Sequence, residues 1–269
     1  MVLSGEELAT IVEAVLAAGK YRPVCPDTVR RIAADELIRR GNVRAAIKAT
    51  KGRLHQVYAA FGRGLDYGQA YQKLEAAYGS GSPQAVQATC RELLQSHTST
   101  GERLSILDTF YGGIWAVTGA PRALLDLGCG LNPLTLPWMG LPPAGRYLAY
   151  DIDAERIAFL DRYFALTETS SRAVWQDVLC HPPQDEADVA LLLKTSASLE
   201  RQERGSTLRL MQASQSRFVV VSFSVKSLAG RQKGMLGHYE REFGASLVGQ
   251  PWQVTRLTFE TELVFVVEK

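Results

Sequence analysis

The fold class follows from the stretch Ala123-Leu124-Leu125-Asp126-Leu127-Gly128-Cys129-Gly130-Leu131-Asn132-Pro133, in which an apolar run passes directly into a glycine-rich segment. The apolar run predicts a buried strand, and the two glycines predict a tight loop behind it. Glycine takes positive φ without strain and carries no Cβ, so a ligand can approach the main chain of such a loop closely. The stretch therefore predicts a strand that ends in a loop for a nucleotide-like ligand.

A second predicted strand, Tyr147-Leu148-Ala149-Tyr150, ends in Asp151. A carboxylate at this distance behind the glycine loop is placed to accept hydrogen bonds from ribose hydroxyls. The third glycine of a dinucleotide fingerprint is missing, since Leu131-Asn132-Pro133 follows Gly130. This argues against NAD and favours S-adenosylmethionine, which has no pyrophosphate to hold.

Strands alternate with helical or loop segments from Pro121 onward, which is typical of a doubly wound α/β sheet. Two further β-rich runs predict an antiparallel hairpin at one edge. The combination predicts a class I S-adenosylmethionine-dependent methyltransferase fold, Rossmann-like and seven-stranded. The predicted strands are 123–128, 146–151, 173–177, 188–194 and 217–223, and the hairpin runs are 252–259 and 263–267.

Apolar residues recur at helical spacing up to about residue 118, so we expect an all-helical N-terminal domain, 1–118, before a methyltransferase domain, 119–269. One helix is predicted from Pro26 to Gly41, and the next is expected to run from Val43 to Phe61. Ser82 is predicted to cap a helix that begins at Pro83. The Ser99-x-x-Glu102 pattern predicts a capping box that opens a helix leading to Tyr111.

Charge is unevenly distributed along the 269 residues, although the net charge is only +2. The segment from Lys20 to Arg53 holds ten Lys or Arg against three Asp or Glu, a net +7, which leaves −5 for the remainder. This segregation predicts a surface that binds phosphates, and a set of solvated helix faces is the alternative.

Compartment and metal content are also predicted. The acidic N-terminus has no signal-peptide pattern and no run is long enough to span a membrane, so we expect a cytoplasmic protein. Cys25, Cys90, Cys129 and Cys180 are widely spaced, which indicates neither disulfides nor a metal site.

Residues that follow the predicted strands are expected to share one site, because ligands in this fold lie across the carboxyl ends of the strands. Asp177 can accept from the amino group of adenine while the Val178 backbone N–H donates to the adjacent ring nitrogen. Lys194 follows the fourth strand and is predicted to lie where the methyl group leaves. A lysine that only reaches out to solvent is the alternative for this position.

Several longer motifs resemble the aminoglycoside-resistance 16S rRNA methyltransferases of the Arm/Rmt/Kgm/Sgm type, in order and over nearly the whole chain. They are Lys20-Tyr21-Arg22, residues 24–31, Arg53-Leu54-His55, residues 100–104, 129–134, 176–180 and 227–235. The resemblance implies methylation of guanine N7 in the decoding centre of the assembled small ribosomal subunit. It also implies resistance to drugs such as kanamycin and gentamicin.

The resemblance assigns cofactor contacts to His97, Thr98, Ser99, Arg103, Gly128, Asp151, Asp177 and Val178. It implies that Arg103 clamps the methionine carboxylate bidentately, as a guanidinium can. RNA binding is expected from Arg30, Arg31 and Arg53 together with Lys226, Arg231 and Lys233, and Lys194 is the candidate catalytic residue. The chain departs from the family pattern at Thr195-Ser196-Ala197-Ser198 and at Gly128, where several relatives have alanine.

Guanine N7 carries a free lone pair and loses no proton on methylation, so this chemistry needs positioning and no general base. We expect a monomer that uses S-adenosylmethionine and binds 16S rRNA. Two alternatives remain open, a small-molecule methyltransferase with a helical lid and a non-catalytic RNA-binding protein. A dinucleotide-dependent oxidoreductase is the weakest candidate.

Overall fold

A seven-stranded mixed sheet forms the centre of the computed structural model, which describes residues 5–59, 64–167, 169–225 and 235–269. The strand order is β3-β2-β1-β4-β5-β7-β6. Strands β1 to β5 run parallel, and β7 pairs antiparallel with β5 and with β6. The strands are β1 (Ala123–Leu127), β2 (Arg146–Asp151), β3 (Arg172–Trp175), β4 (Glu186–Leu193), β5 (Gln215–Ser224), β6 (Gln253–Thr258) and β7 (Glu262–Glu268).

This topology confirms the predicted five parallel strands and C-terminal hairpin. The order reverses between β1 and β4, so their connections leave on opposite sides and open a crevice at the carboxyl ends. Strand β3 ends at Trp175, two residues before its predicted end. Residues 176 and 177 therefore belong to the loop over the crevice.

Helices surround the sheet and form a bundle before it. Those of the bundle are α1 (Gly5–Leu16), α2 (Pro26–Arg40) and α3 (Val43–Leu54). The others are α4 (Tyr67–Gly79), α5 (Pro83–Leu94), α6 (Thr98–Arg103), α7 (Leu107–Thr118), α8 (Leu136–Met139), α9 (Ala154–Phe164), α10 (Ser196–Gln202), α11 (Ser206–Ala213) and α12 (Met235–Ser246).

Two predicted helix boundaries are confirmed. Helix α2 begins at Pro26 and ends against Gly41, whose left-handed φ of 70° lets its N–H donate to the Leu37 carbonyl. The Ser82 side chain accepts from the Ala85 N–H at the start of α5.

Two other predicted helices are corrected. Ser99 lies inside the short helix α6, and Glu102 accepts from the Lys194 ammonium instead of capping a backbone N–H. The capping box is therefore wrong, because the ion pair attracts this carboxylate more strongly. Helix α3 ends at Leu54 and passes into a wider π turn, His55–Ala59, and Phe61 lies outside the described residues.

The hydrophobic residues of the bundle form a core of their own, built from α1 to α3 around Ile11, Val29, Ile32 and Leu54. Helices α4, α5 and α7 instead share a core with the sheet. These cores divide the chain near residue 60. The predicted boundary at 118/119 does not coincide with this division and stays a prediction for separately folding domains.

Candidate active site

A pocket lies in the crevice at the carboxyl ends of β1, β2 and β4, and its outer wall comes from the N-terminal bundle. Gly128, Asp151, Asp177 and Lys194 line it from the sheet side, and Thr28, Arg31 and Tyr58 line it from the bundle. The structure therefore brings the residues predicted after the first four strands into one site.

The glycine loop after β1 has the predicted conformation. Gly128 and Gly130 have φ values of 75° and 54°, in the region that only glycine enters without strain. A Cβ on Gly128 would lie 2.7 Å from Thr195 Cγ2, and one on Gly130 would lie 3.0 Å from His97 Cε1. A side chain at either position would therefore be strained by the positive φ, and a Cβ on Gly128 would also crowd Thr195.

Asp151 is held by three donors at the end of β2. Its carboxylate accepts from the Gly130 N–H at 2.9 Å, the Asp153 N–H at 3.1 Å and Arg156 Nη1 at 2.8 Å. The carboxylate is 6% exposed in this arrangement. It thereby joins the glycine loop to the start of α9 and still has lone pairs to offer a hydroxyl group in the pocket.

Asp177 and Val178 form the other end of the pocket. Asp177 Oδ1 accepts from the Leu179 N–H at 2.8 Å, and Oδ2 accepts from Arg31 Nη2 at 3.0 Å. The Val178 N–H has no hydrogen-bond partner within the described ranges. An oriented carboxylate thus lies beside a free backbone donor, which is the pair that the sequence predicts for reading adenine.

Arg103 lines the pocket, but its main contact is inside the protein. Its Nε and Nη2 atoms bind the Glu262 carboxylate at 2.7 and 3.1 Å, and Nη1 donates to Asn132 Oδ1 at 2.6 Å. The edge of the guanidinium that was expected to clamp a ligand carboxylate is therefore paired with Glu262. Contact between Arg103 and a cofactor stays a prediction.

Lys194 does not reach out to solvent, because its side chain is only 7% exposed. The ammonium donates to the Ser99 carbonyl at 3.0 Å and to Glu102 at 2.8 Å, and it lies 3.3 Å from Glu262. Its φ of 58° is unusual for a residue with a side chain. These contacts fix the turn after β4 and leave a catalytic role as a prediction.

His97 precedes α6 and packs against Gly130. Burial lowers the pKa of His97 to about 4, and the charge of Arg156 adds to this effect. Its Nδ1 lies 3.0 Å from Ser99 Oγ, and Thr98 begins the helix beside it. The imidazole is therefore neutral near pH 7.

Sequence reasoning missed much of the buried polar network beneath the pocket. Glu262 is fully buried and also accepts from the Ser222 hydroxyl, while Asn132 links Arg103 to Asp126. Burial raises the pKa of Asp126 to about 6. Asp126 is recognisable in the sequence as a charge inside an apolar strand, whereas Glu262 looks like part of a hairpin turn.

The predicted RNA-binding residues separate into three groups. The Arg30 side chain is 61% exposed, near Asp27. Arg31 and Arg53 are only 17% and 19% exposed, since Arg31 binds Asp177 and Arg53 binds Asp35 and Glu36. Both side chains make internal contacts, and RNA binding by Arg31 and Arg53 stays a prediction. Lys226, Arg231 and Lys233 lie outside the described residues.

The described residues contain no cluster of three His, Cys, Asp or Glu side chains that could hold a metal ion. None of the described helices is long and apolar enough to cross a bilayer.

A family model and curated relatives of ribosomal RNA methyltransferases match this chain over most of its length. The family model described as "Ribosomal RNA methyltransferase (FmrO)" matches residues 17–266. A 16S rRNA (guanine(1405)-N(7))-methyltransferase of Frankia casuarinae is 39% identical over 261 residues, covering 96% of this chain and 92% of the relative. A protein of the same name from Serratia marcescens is 34% identical and covers 95% of this chain and 96% of its own length.

Solved structures agree with the sequence relatives. The crystal structure of the 16S rRNA methyltransferase RmtF in complex with S-adenosyl-L-homocysteine superposes with a TM-score of 0.83 at 32% identity, over 99% of this chain and 100% of RmtF. The 16S rRNA methylase RmtB gives a TM-score of 0.78 at 29% identity, over 97% and 98% of the two chains. The chain therefore belongs to the FmrO family of ribosomal RNA methyltransferases.

Proposed function

We propose that this chain transfers a methyl group from S-adenosylmethionine to N7 of guanine(1405) in 16S rRNA. The observation that carries the proposal is the 39% identity to a curated enzyme of that name over 96% of the chain. Likeness at full length, together with a pocket at the expected place, supports the same reaction.

The pocket fits the methyl donor, judged by the polar groups that line it. The free Val178 N–H and the Asp177 carboxylate complement the adenine ring nitrogen and amino group, and Asp151 has capacity left for the ribose. The methionine portion is assigned to the region of Gly128, Gly130 and His97. When bound, S-adenosylmethionine supplies a methyl group made electrophilic by its sulfonium.

The protein contributes position and charge. Because N7 brings its own lone pair, no residue has to remove a proton from the base. Neutral His97 adds no positive charge beside the sulfonium, and the buried carboxylates of Asp151 and Glu262 counter the nearby cations. The site thus holds two cationic species in turn, the donor and the methylated guanine.

We assign substrate docking to the exposed face of the bundle around Arg30, and we propose that Lys226, Arg231 and Lys233 also contact RNA.

The substrate is the assembled small ribosomal subunit, so the reaction takes place in the cytoplasm. The enzyme acts as a monomer without a metal. Ribosomes that carry the methylated guanine resist the aminoglycosides that contact this base.

The test is a methyl-transfer assay with labelled S-adenosylmethionine, comparing purified small subunits, protein-free 16S rRNA and a metabolite extract. We expect label in the subunits, and the Asp177→Ala variant should lose most of it. Label confined to the metabolite extract would contradict the proposal and favour a small-molecule methyltransferase.

A further inference from the structure

The N-terminal bundle contacts each of the three loops that form the outer part of the pocket. The Cys25 N–H donates to the Ile152 carbonyl at 2.8 Å, and the Ala154 N–H donates to the Pro23 carbonyl at 2.8 Å, next to Asp151. Asp27 lies 3.2 Å from the ring of His181, and His181 belongs to the loop that carries Asp177. The Arg53 guanidinium donates to the Gln202 carbonyl at the end of α10.

Arg31 makes the most direct of these contacts. Its Nη2 atom donates to Asp177 Oδ2 at 3.0 Å and to Gln202 Oε1 at 2.8 Å, and its Nε lies 3.4 Å from the same carboxylate oxygen. The side chains of Arg31 and Asp177 are 17% and 4% exposed. A charged hydrogen bond this well shielded from water restrains the orientation of its partner strongly.

We propose that Arg31 is a positioning residue that holds the Asp177 carboxylate for the amino group of adenine, so that the N-terminal bundle completes the cofactor site. The inference rests on the proposed function, since it assumes an adenosyl cofactor. Arg31 fixes Oδ2 and the Leu179 N–H fixes Oδ1, which sets the plane of the carboxylate. Asp177 and Val178 both line the pocket, and the Val178 N–H has no partner among the described residues.

The geometry makes a specific prediction about ligand selectivity. Without Arg31, the Asp177 carboxylate can rotate and take up water, and its contribution to binding the amino group falls. A cofactor analogue without that amino group cannot report on this contact. Loss of Arg31 should therefore weaken S-adenosylhomocysteine and leave the affinity for its purine analogue, which lacks only the 6-amino group, unchanged.

The experiment is titration calorimetry on the full-length chain with these two ligands. We expect Arg31→Ala to weaken S-adenosylhomocysteine about tenfold, the value of one charged hydrogen bond, and Arg31→Lys to recover part of the loss. Arg39→Ala is the matched control, since Arg39 lies on the same helix with its side chain 64% exposed. This control should bind both ligands as the unchanged protein does.

The outcomes separate this inference from the proposed function. An unchanged protein that binds neither S-adenosylmethionine nor its product would refute the proposed function itself. Normal binding by Arg31→Ala, or equal weakening of both ligands, would overturn the role of Arg31 and leave the methyltransferase assignment intact. If Arg31→Ala does not fold, Arg31→Lys decides, because it must still lose affinity for the adenosyl ligand alone.

Discussion

Two buried cations, Arg103 and Lys194, meet the fully buried carboxylate of Glu262 directly beneath the pocket. A charge without water is stable only when it is paired and hydrogen-bonded. Glu262 meets this requirement with both bonds of the Arg103 fork and with the Ser222 hydroxyl. The C-terminal hairpin thereby holds α6 and the turn after β4 in place.

Glu262→Gln should be strongly destabilising, because it removes the negative charge and leaves two buried cations short of a partner. We expect the free energy of unfolding to fall by about 3 kcal/mol, measured by urea denaturation. Glu268→Gln is the control on the same strand, where the exposed pair with Arg217 should contribute less than about 1 kcal/mol. Equal losses in the two variants would contradict the importance of the buried network.

His97 should make the fold sensitive to acid. Its pKa is about 4 when folded and 6.5 when unfolded, so between these values the unfolded chain binds more protons. Acidification from pH 6.5 to pH 4 therefore favours unfolding, by roughly 3 kcal/mol from this residue.

The check compares urea denaturation of the unchanged protein and His97→Gln across that pH range. The variant should lose about 3 kcal/mol less of its unfolding free energy. Asp126, with its raised pKa of about 6, acts with the opposite sign, since protonation there favours the folded state. Because Asp126 is present in both proteins, its effect cancels from the comparison. An equal pH dependence of the unfolding free energy in the two proteins would contradict the role of His97.

Sequence reasoning located Gly128, Gly130, Asp151 and Asp177 because each follows a strand whose apolar run is easy to recognise. It missed Glu262 and the true contacts of Arg31 and Arg53. Those contacts join residues far apart in the chain, and no local pattern distinguishes an arginine that faces inward from one that faces phosphate. The contacts that the sequence did not predict are thus the ones whose partners only the fold brings near.

At the scale of elements, the strands were predicted closely because β-branched and apolar runs bounded by turns persist in the sheet. The start of α6 was misplaced, because the Ser-x-x-Glu pattern does not show that Glu102 pairs with Lys194 from the turn after β4. The glycine loop and the start of α10 also depend on each other, because Gly128 leaves room for the Thr195 methyl group. The structure shows the two residues in contact, since the Thr195 hydroxyl donates to the Gly128 carbonyl at 3.3 Å.

Gly128→Ala should therefore lower stability, because the new Cβ would lie 2.7 Å from Thr195 Cγ2 at a φ of 75°. Adding Thr195→Ser removes that methyl group and should restore part of the loss, while the strain of positive φ, about 1 kcal/mol, remains. Thermal unfolding of both single variants and the double variant gives the coupling between the sites. Strictly additive effects would mean that the two residues do not interact.

At the scale of the whole molecule, the positive segment belongs to a helical bundle with one side against the pocket and the other side exposed to solvent. Arg31 lines the pocket and Arg53 pairs with Asp35 and Glu36, whereas the Arg30 side chain is 61% exposed. The sequence shows the segregated charge but does not show which of these side chains are buried and which are exposed.

Arg30→Ala should weaken binding to small subunits and reduce the slope of log affinity against log salt by about one. Filter binding at several salt concentrations measures this slope. Arg217→Ala is the control, since Arg217 is 70% exposed near the amino-terminal end of β5, whereas the pocket lies at the carboxyl ends of the parallel strands. An equal change of this slope in both variants would contradict RNA binding by the bundle.

The most direct measurement maps the new methyl group on 16S rRNA taken from small subunits that were incubated with the full chain and S-adenosylmethionine. Chemical cleavage at N7-methylguanine followed by primer extension should give one new stop, at guanine(1405), and this stop should be absent when the donor is omitted. Subunits that carry no new cleavage site, or that carry it at another nucleotide, would contradict the account.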